Sequence, residues 1–503
     1  MATATEKLAE SLQALKALQD RDIVAIRSAD LSRTHRERLV RQGFLQEVMK
    51  GWYIPTSPDN LPGDSTPWYT SFWKFIANYL NARFDGRWCL SPEQSLAIHA
   101  GNWTVPKQLL VRAEKARNNV TPLPHNTSLL DIRAELPAER NTLVIDGVRL
   151  FSLPSALIAC GPTAFRQNST DLRAALAGIA DASELLAHLL EGGHSTIAGR
   201  LAGAMRNIGR DLVADDITQT MKAAGYDVRE TDLFDSASPA LFIKREKSPH
   251  VSRLQLLWQS MRDVVLEDFP PPPGPPSDIA VYLKHIEDNY IADAYHSLSI
   301  EGYRVSPKLI ERVQDGRWNP DQDDGDRAHR NTLAARGYWQ AFQAVEKSIE
   351  KILKGQNAGA VARKDHGAWY RELFAPSIAT GLLSPSDLAG YRSAPVYIRS
   401  SKHVPPRADA VRDLMPVFFD LLEGETETQV KVVLGHFVFV TIHPYMDGNG
   451  RMGRFLMNAM MASGEYPWTI IPVERRSEYM NSLEAASVEQ NIQPFSRFLA
   501  SLL

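Results

Sequence analysis

The chain has 503 residues, of which 44% are hydrophobic and 23% are charged. This composition is that of an ordinary globular protein and excludes a disordered, collagen-like or coiled-coil chain. Because single hydrophobic cores stop growing well below this length, we expect about three domains. The 56 basic and 59 acidic residues give a formal net charge of -3, so the chain as a whole does not attract nucleic acid or an anionic membrane by its charge.

The cysteine content and the apolar runs indicate where in the cell the protein lies. Only Cys89 and Cys160 occur in the sequence, which excludes a disulfide framework. The first ten residues lack the apolar core of a secretory signal, and the longest apolar runs are too short to cross a bilayer. We therefore expect a soluble, cytoplasmic protein with no membrane partner.

The N-terminal residues predict three helices followed by a hairpin. Leucines spaced three and four apart predict a helix over residues 6–19, and a second short helix is expected near Asp22. Segment 32–43 begins with a serine suited to an N-cap and ends with a glycine suited to a helix terminus. Two strand-like runs in 44–55 predict a hairpin. This order of elements is typical of a winged helix, which we assign to residues 1–60.

The third predicted helix carries four arginines. They are Arg33, Arg36, Arg38 and Arg41. In a winged helix this element can enter the major groove, where arginines contact phosphates or guanine edges. A DNA operator is therefore one candidate partner. The alternative is that the arginines form a solvated face on a protein-binding winged helix.

The next part of the chain resembles a family of antitoxins. The predicted winged helix and the segments SPEQSLAIHAGNW and GVRLFSLPSALIACGP are similar to AbiEi-type antitoxins of type IV toxin systems. The resemblance implies an α/β antitoxin-like domain, which we place at residues 61–268.

A proline-rich segment follows at residues 269–277. Its prolines lack amide donors and have a fixed φ, so they favour a stiff, extended linker between domains. The alternative is a proline-rich ligand for SH3-type modules. A third domain then spans residues 278–503.

The residues best suited to catalysis and to phosphate binding follow an apolar run that ends at Val440. His443 is a candidate base, and Asp447 offers the hard oxygen that Mg²⁺ prefers. Arg451 and Arg454 are three residues apart, on one face of the helix predicted to begin there. The residues whose amides can face an anion are Gly448, Asn449 and Gly450. Together they predict a polyphosphate site.

The same glycines also fit a dinucleotide fingerprint. Residues 448–453 read G-x-G-x-x-G, and Glu474 follows at a suitable distance. In a Rossmann fold, however, the strand runs directly into the first glycine, whereas residues 444–447 intervene here, and no repeating βαβ pattern surrounds them. We therefore favour the polyphosphate interpretation.

The run HPYMDGNGRMGR, residues 443–454, resembles the signature of the Fic (Fido) family, with Tyr445 where phenylalanine is usual. The resemblance implies a mainly α-helical Fic domain with a β-hairpin flap. It also implies transfer of AMP from ATP to a Ser, Thr or Tyr hydroxyl of a protein target. His443 would be the base and Asp447 the Mg²⁺ ligand. Arg451 would stabilise developing charge, and Arg454 would hold the γ-phosphate.

Two further segments resemble parts of the same family. Gly390-Tyr391-Arg392 and the residues after it are similar to the flap, and RRSEYMNSLEAAS is similar to the segment that packs on the adenine. The nucleotide contacts implied by these segments are Val396, Tyr397 and Ile398 in the flap, and Tyr479, Met480 and Ser487 around the base.

Ser297, Glu301 and Gly302 resemble the inhibitory motif of the Fic family. Ser297 and Glu301 are four residues apart, hence on one face of a helix for which Gly302 is a suitable terminus. The resemblance implies that Glu301 pairs with Arg454 and takes the place of the γ-phosphate. In some relatives the same glutamate supports removal of AMP, so the direction of the reaction stays open.

Three hypotheses about function follow. The chain is an autoinhibited AMP transferase, a DNA-binding regulator whose Fic domain senses nucleotide, or a toxin and an antitoxin fused in one chain. The complete set of His443, Asp447, Arg451 and Arg454 favours the first, because a sensor has no chemical need for a base. The sequence leaves open the target protein, a nucleotide other than ATP, and whether the chain forms a homodimer.

Overall fold

A computed structural model of the protein describes residues 3–60, 63–274, 278–317 and 330–503. The chain divides into two units. Unit 1 consists of Met1–Arg253 and Tyr397–Val404, and unit 2 consists of Leu254–Val396 and Pro405–Leu503. The predicted linker falls within the sequence of unit 2, and its last residues, 275–277, lie outside the described residues.

Unit 1 begins with two helices and a small antiparallel sheet, whose strand order is β1-β3-β2. The elements are α1 (Ala4–Gln19), β1 (Ile26–Arg27), α2 (Arg33–Arg41), β2 (Leu45–Met49) and β3 (Trp52–Pro55). The predicted N-cap is confirmed, because the Ser32 side chain accepts a hydrogen bond of 3.2 Å from the His35 amide. The predicted hairpin is confirmed as β2 and β3.

The prediction of a second short helix near Asp22 is wrong. Asp22 adopts a left-handed conformation with φ of 58°, and the next element is the strand β1. A residue at positive φ cannot continue a right-handed helix. The chain therefore turns here and pairs β1 with β3.

The middle of unit 1 combines helices with a mixed sheet of order β4-β5-β7-β6, in which β5 and β7 are parallel. Its elements are α3 (Thr66–Phe84), β4 (Trp88–Leu90), α4 (Pro92–His99), β5 (Gln108–Ala113), β6 (Val120–Leu123), β7 (Thr127–Arg133), β8 (Thr142–Ile145) and β9 (Val148–Phe151). The core forms around α3, because Trp68, Phe72 and Phe75 are fully buried. The assignment to an antitoxin-like domain stays a prediction.

Helices make up the rest of the regular structure in the described residues. After β9 they are α5 (Leu153–Ala159), α6 (Ala164–Gln167), α7 (Ser169–Ala177), α8 (Ser183–Gly192), α9 (Ser195–Asn207), α10 (Asp211–Ala223) and α11 (Pro249–Asp268). Those that follow are α12 (Ile279–Ile300), α13 (Pro307–Gln314), α14 (Arg330–Leu353), α15 (Ala358–Ala379), α16 (Ala408–Gly424), α17 (Thr428–Ile442), α18 (Asn449–Ala462), α19 (Arg476–Val488) and α20 (Gln493–Ala500). Across the described ranges, no helix has the length and apolar character needed to cross a membrane.

The predicted flap contains no paired strands. Between α15 and α16 the described chain has a 3₁₀ turn at Pro385–Leu388 and no strand. Backbone groups of the segment Tyr397–Val404 bond to other residues of unit 1 instead. The Ser400 amide donates to Thr66 Oγ1 over 2.9 Å, and the Lys402 carbonyl accepts from the Val105 amide over 2.9 Å. The prediction of a β-hairpin flap is therefore corrected to an irregular segment.

Candidate active site

The loop between α17 and α18 begins at His443. This residue is the C-cap of α17 and adopts a left-handed conformation, with φ of 53° and ψ of 60°, which ends the helix. Tyr445 then turns into the core, where its ring stacks on Tyr370 with centroids 3.7 Å apart. The side chain of Tyr445 thus anchors the loop in the core.

Two further residues fix the shape of this loop. The Asn449 side chain accepts from the Tyr445 amide over 2.9 Å and donates to the Tyr445 carbonyl over 2.8 Å. Gly448 has φ of 80°, and a Cβ there would lie 2.9 Å from the Phe374 ring. Both the backbone conformation and the available space therefore require glycine. The Asn449 side chain holds the loop, while its backbone amide lies in the first turn of α18.

His443 has one ring nitrogen committed to the backbone. Its Nδ1 lies 3.0 Å from the Val440 carbonyl, so Nδ1 carries the hydrogen and Nε2 is the proton acceptor. Burial lowers the pKa of His443 below its ordinary value. The charge of Arg392 also lowers this pKa, whereas the charges of Glu301 and Asp447 raise it. A neutral imidazole with a free Nε2 is the form that a general base needs.

Arg451 is held inside the protein behind the loop. Its side chain is 1% exposed, with the guanidinium 5.2 Å from the ring centroids of both Tyr303 and Phe374. The Nη2 atom lies 3.6 Å from Asp447 Oδ1. Two aromatic faces and one carboxylate therefore orient the charge of Arg451 toward the loop.

Asp447 is the residue of this loop that could hold a metal ion. Its side chain is 63% exposed, and Oδ1 accepts from the Gly448 amide over 2.6 Å. The described residues contain no group of three or more His, Cys, Asp or Glu side chains suited to a metal. Mg²⁺ commonly binds through one carboxylate together with waters and substrate phosphates. The single exposed carboxylate of Asp447 fits that mode.

Arg454 is paired with the residues of the predicted inhibitory motif. Its Nε donates to Ser297 Oγ over 2.8 Å, and its Nη2 donates to the Ser297 carbonyl over 3.1 Å and to Glu301 Oε1 over 2.7 Å. Burial raises the pKa of Glu301, but the charges of Arg454 and Arg451 outweigh it and leave this pKa below its ordinary value. The carboxylate is therefore ionised at neutral pH. Glu301 is the C-cap of α12, and Gly302 follows with φ of 88°, as predicted.

The Glu301 carboxylate lies directly in front of the first turn of α18. A Cβ on Gly450 would be 2.2 Å from Glu301 Oε1 and 3.3 Å from Arg454 Nη1. The N-terminus of a helix attracts anions through its free amides and its dipole. Arg454 Nη1 and Arg451 Nε are buried without a hydrogen-bond partner among the described residues. The carboxylate thus occupies an anion site that still has unused donors.

Residues 364–461 match the family model described as Fic/DOC family. The chain therefore contains a Fic domain. The chain is 31% identical over 218 residues to the protein adenylyltransferase Fic of Drosophila willistoni, which is 42% of this chain and 40% of that protein. It is 31% identical over 229 residues to the protein of the same name from Aedes aegypti, 44% of this chain and 42% of the relative.

The chain thus spans about two fifths of the length of these curated relatives. Among solved structures, Fic-1 from C. elegans is 20% identical, with a TM-score of 0.37 and coverage of 68% of this chain and 94% of that chain. The match of residues 364–461 to the family model confirms the Fic resemblance of residues 443–454.

A buried carboxyl lies one turn before Ser297 on α12 of unit 2. Asp293 is 3% exposed and accepts a hydrogen bond of 2.6 Å from the Tyr338 hydroxyl. Burial raises its pKa to about 6, against the opposing effect of that hydrogen bond. The folded state therefore prefers the protonated carboxyl more strongly than the unfolded state does.

In wild type, ionisation of the buried Asp293 carboxyl destabilises the folded state as the pH rises. Asp293→Asn should remove this destabilisation. Because the pKa of Asp293 is raised on folding, its stabilising contribution is present below about pH 4 and is lost as the pH rises through about 6. Relative to wild type, the variant should gain about 1–3 kcal/mol in free energy of unfolding between pH 5 and pH 8. Urea unfolding of both proteins at the two pH values measures this difference. An equal difference at both values would contradict the prediction.

Tyr479, which is predicted to lie near the adenine, is enclosed in the core of unit 2. The side chain is 1% exposed, and its hydroxyl is 2.7 Å from Nε2 of His436. Its ring also packs near the rings of Phe495 and Phe498, and its hydroxyl interacts with the guanidinium of Arg454. The contact of Tyr479 with an adenine stays a prediction. Sequence analysis missed His436, although a histidine within an apolar helix was its signal.

The other residues with predicted nucleotide contacts are less enclosed. Met480 is half-buried, and Ser487 Oγ donates to the Glu484 carbonyl over 3.3 Å. Val396 belongs to unit 2, whereas Tyr397 and Ile398 belong to unit 1. Their contacts with a nucleotide stay predictions.

Two of the four arginines of α2 bond within unit 1. Arg36 Nη1 donates to the Ser28 carbonyl over 2.7 Å, and Arg38 Nη1 donates to Ser11 Oγ over 2.6 Å. These guanidinium groups stabilise the fold, so a solvated arginine face is at most partial. The other two arginines predicted to contact DNA are Arg33 and Arg41. Arg33 pairs with Glu37 over 2.6 Å.

Proposed function

We propose that this protein is an autoinhibited adenylyltransferase, which transfers AMP from ATP to a hydroxyl group of a protein target and of itself. The observation that carries this proposal is the pairing of Glu301 with Arg454 at the N-terminus of α18, in a loop whose His443 has a free Nε2. A built anion site beside a neutral base fits attack on a phosphate. The names of the curated relatives support the same reaction.

His443 supplies the proton acceptor in the proposed reaction. A side-chain hydroxyl is a weak nucleophile at neutral pH, so Nε2 takes its proton as the oxygen attacks the α-phosphorus of ATP. The new bond joins this oxygen to the α-phosphorus. The bond from the α-phosphorus to the oxygen that bridges it to the β-phosphorus breaks, and pyrophosphate leaves with that oxygen. The Nδ1 bond to the Val440 carbonyl keeps Nε2 directed at the nucleophile and stabilises the imidazolium that forms.

The other charges of the site bind the polyphosphate. The amides at the start of α18 and the guanidinium of Arg451 stabilise the charge that develops on the transferred group. Arg454 holds the γ-phosphate through donors that now face Glu301 and Gly450. Asp447 would hold Mg²⁺, whose charge neutralises the phosphates when it is bound.

Glu301 acts as a brake in this scheme. Its carboxylate neutralises Arg454 and fills the space in front of Gly450, so the γ-phosphate cannot bind there at the same time. The basal protein is therefore held in an inactive state. Release of Glu301 from Arg454 would admit ATP in the productive position.

The position of the isotope distinguishes this reaction from phosphoryl transfer. Wild type and Glu301→Gly are incubated with lysate proteins and with ATP labelled on either the α-phosphate or the γ-phosphate. Adenylyl transfer places the α-label, but not the γ-label, on protein. An excess of unlabelled ATP is the control, since it should abolish the signal. Label from the γ-position, or none from either position in both proteins, would contradict the proposed function.

A further inference from the structure

A buried arginine outside the signature contacts the catalytic loop. Arg392 is 2% exposed, and its Nε donates to the His443 carbonyl over 2.8 Å. Its Nη2 lies 3.4 Å from the Ile442 carbonyl, and its backbone amide donates to the Pro444 carbonyl over 2.9 Å. Three consecutive carbonyls at the end of α17 are thus bonded to one residue from a distant part of the chain.

The same side chain joins the two ends of the irregular flap segment. Its Nη1 donates to the Ala394 carbonyl over 3.1 Å, and its Nη2 donates to the Pro406 carbonyl. Ala394 and Pro406 lie on either side of the irregular segment Tyr397–Val404. Arg392 therefore ties both roots of the flap to the catalytic loop.

The chemistry of this position requires a guanidinium group. Burial lowers the pKa of Arg392 to about 10, so the side chain is charged at neutral pH. Among the described residues it forms no ion pair, and its bonds go to carbonyl oxygens. The last carbonyls of a helix lack partners within the helix and form the negative end of its dipole. A planar fork of donors can serve several such carbonyls at once.

His443 depends on this contact because its backbone is unusual. A left-handed conformation is costly for a residue other than glycine and persists only where neighbouring groups hold it. The bond from Arg392 to the His443 carbonyl fixes this conformation, while the bond to Val440 fixes the ring. None of the hydrogen bonds of Arg392 reaches Glu301 or Arg454.

We propose that Arg392 is a positioning residue for the transfer reaction: it sets the direction of His443 and holds both flap roots, without contributing to the polyphosphate site. The inference rests on the proposed function. It predicts that loss of Arg392 slows transfer and leaves ATP binding nearly intact.

The test compares Arg392→Met and Arg392→Lys in the Glu301→Gly protein. Initial rates of self-labelling are measured over a range of ATP concentrations. Methionine should lower the maximal rate by about 10–100-fold, the loss expected when a catalytic group is displaced by about an ångström. The half-saturating ATP concentration should change by less than about threefold, because the phosphate contacts remain. Lysine keeps the charge at the end of α17, so its maximal rate should lie between those of methionine and the parent.

The matched control is Arg262→Met. Arg262 is a partly buried arginine of unit 2 that forms two bonds with Glu425, of 2.9 and 3.0 Å. Its loss should lower the melting temperature and leave the maximal rate unchanged. If Arg392→Met does not fold, Arg392→Lys decides the question.

The inference would be overturned if both Arg392 variants labelled themselves at the maximal rate of the Glu301→Gly parent. A fall in maximal rate matched by an equal rise in half-saturating ATP, or a lysine variant no faster than methionine, would also overturn it. A Glu301→Gly parent that transfers no label contradicts the proposed function itself, and the inference falls with it.

Discussion

Glu301→Gly is expected to raise self-labelling from α-labelled ATP by at least about tenfold over wild type, which corresponds to about 1.4 kcal/mol. The change removes the carboxylate that accepts from Arg454 over 2.7 Å. It also clears the space in front of Gly450. Arg454 can then hold the γ-phosphate, and ATP can bind with its α-phosphate near His443. Labelling of purified protein at equal concentrations measures the effect.

Two companion variants separate the charge of Glu301 from its bulk. Glu301→Gln keeps the shape of the side chain but loses the charge, so it should give a smaller increase than glycine. Ser297→Ala removes one bond of 2.8 Å to Arg454 Nε and leaves the carboxylate in place, so it should give the smallest increase. A glycine variant no more active than wild type would show that Glu301 is not a brake.

The stability of the same variants offers an independent measurement. Removing Glu301 leaves the buried guanidinium of Arg454 without its counter-charge, so the melting temperature of Glu301→Gly should fall. ATP supplies that counter-charge and should restore more stability to the variant than to wild type. Equal shifts with ATP in both proteins would contradict competition between Glu301 and the γ-phosphate.

The catalytic loop could be predicted from the sequence because its functional groups are contiguous. Residues 443–454 combine a helix end, glycines that permit positive φ, and arginines three apart, all of which are local properties. The same holds for Ser297 and Glu301, whose spacing of four residues places them on one face of α12. Local sequence patterns were therefore sufficient to predict these positions. The structure adds the distances from Ser297 and Glu301 to Arg454.

The partners of buried polar groups could not be predicted in the same way. Arg392 and His443, like His436 and Tyr479, are distant in sequence and meet only through the packing of helices. The segment of Tyr479 resembles the one that packs on the adenine, and the structure adds that its hydroxyl bonds to a histidine inside α17. No local pattern reveals such a partner.

Short elements were a source of error. The turn at Asp22 and the irregular segment Tyr397–Val404 depend on a few backbone bonds. In the flap segment those bonds connect Ser400 and Lys402 to residues more than 290 positions earlier in the chain. Propensity is a weak guide where tertiary contacts satisfy the backbone.

His443→Ala in the Glu301→Gly protein is expected to reduce label transfer by about 10²–10⁴-fold, the usual contribution of a general base. The substitution removes the proton acceptor Nε2 and leaves Arg451, Arg454 and the amides of α18 in place. ATP binding, measured by calorimetry, should therefore change little. His285→Ala, at an exposed position on α12, is the matched control and should transfer at the parental rate.

The pH dependence of the parental rate identifies the protonation state that His443 needs. Because the pKa of His443 is lowered chiefly by burial, the rate should fall on acidification only below the ordinary histidine value of about 6.5. A base that must be neutral loses activity as it gains a proton, so the acidic limb of the profile belongs to His443. In His443→Ala the residual transfer should lack this limb. A residual rate that keeps the same acidic limb would assign the base to another group, and full transfer by the variant would remove His443 from the reaction.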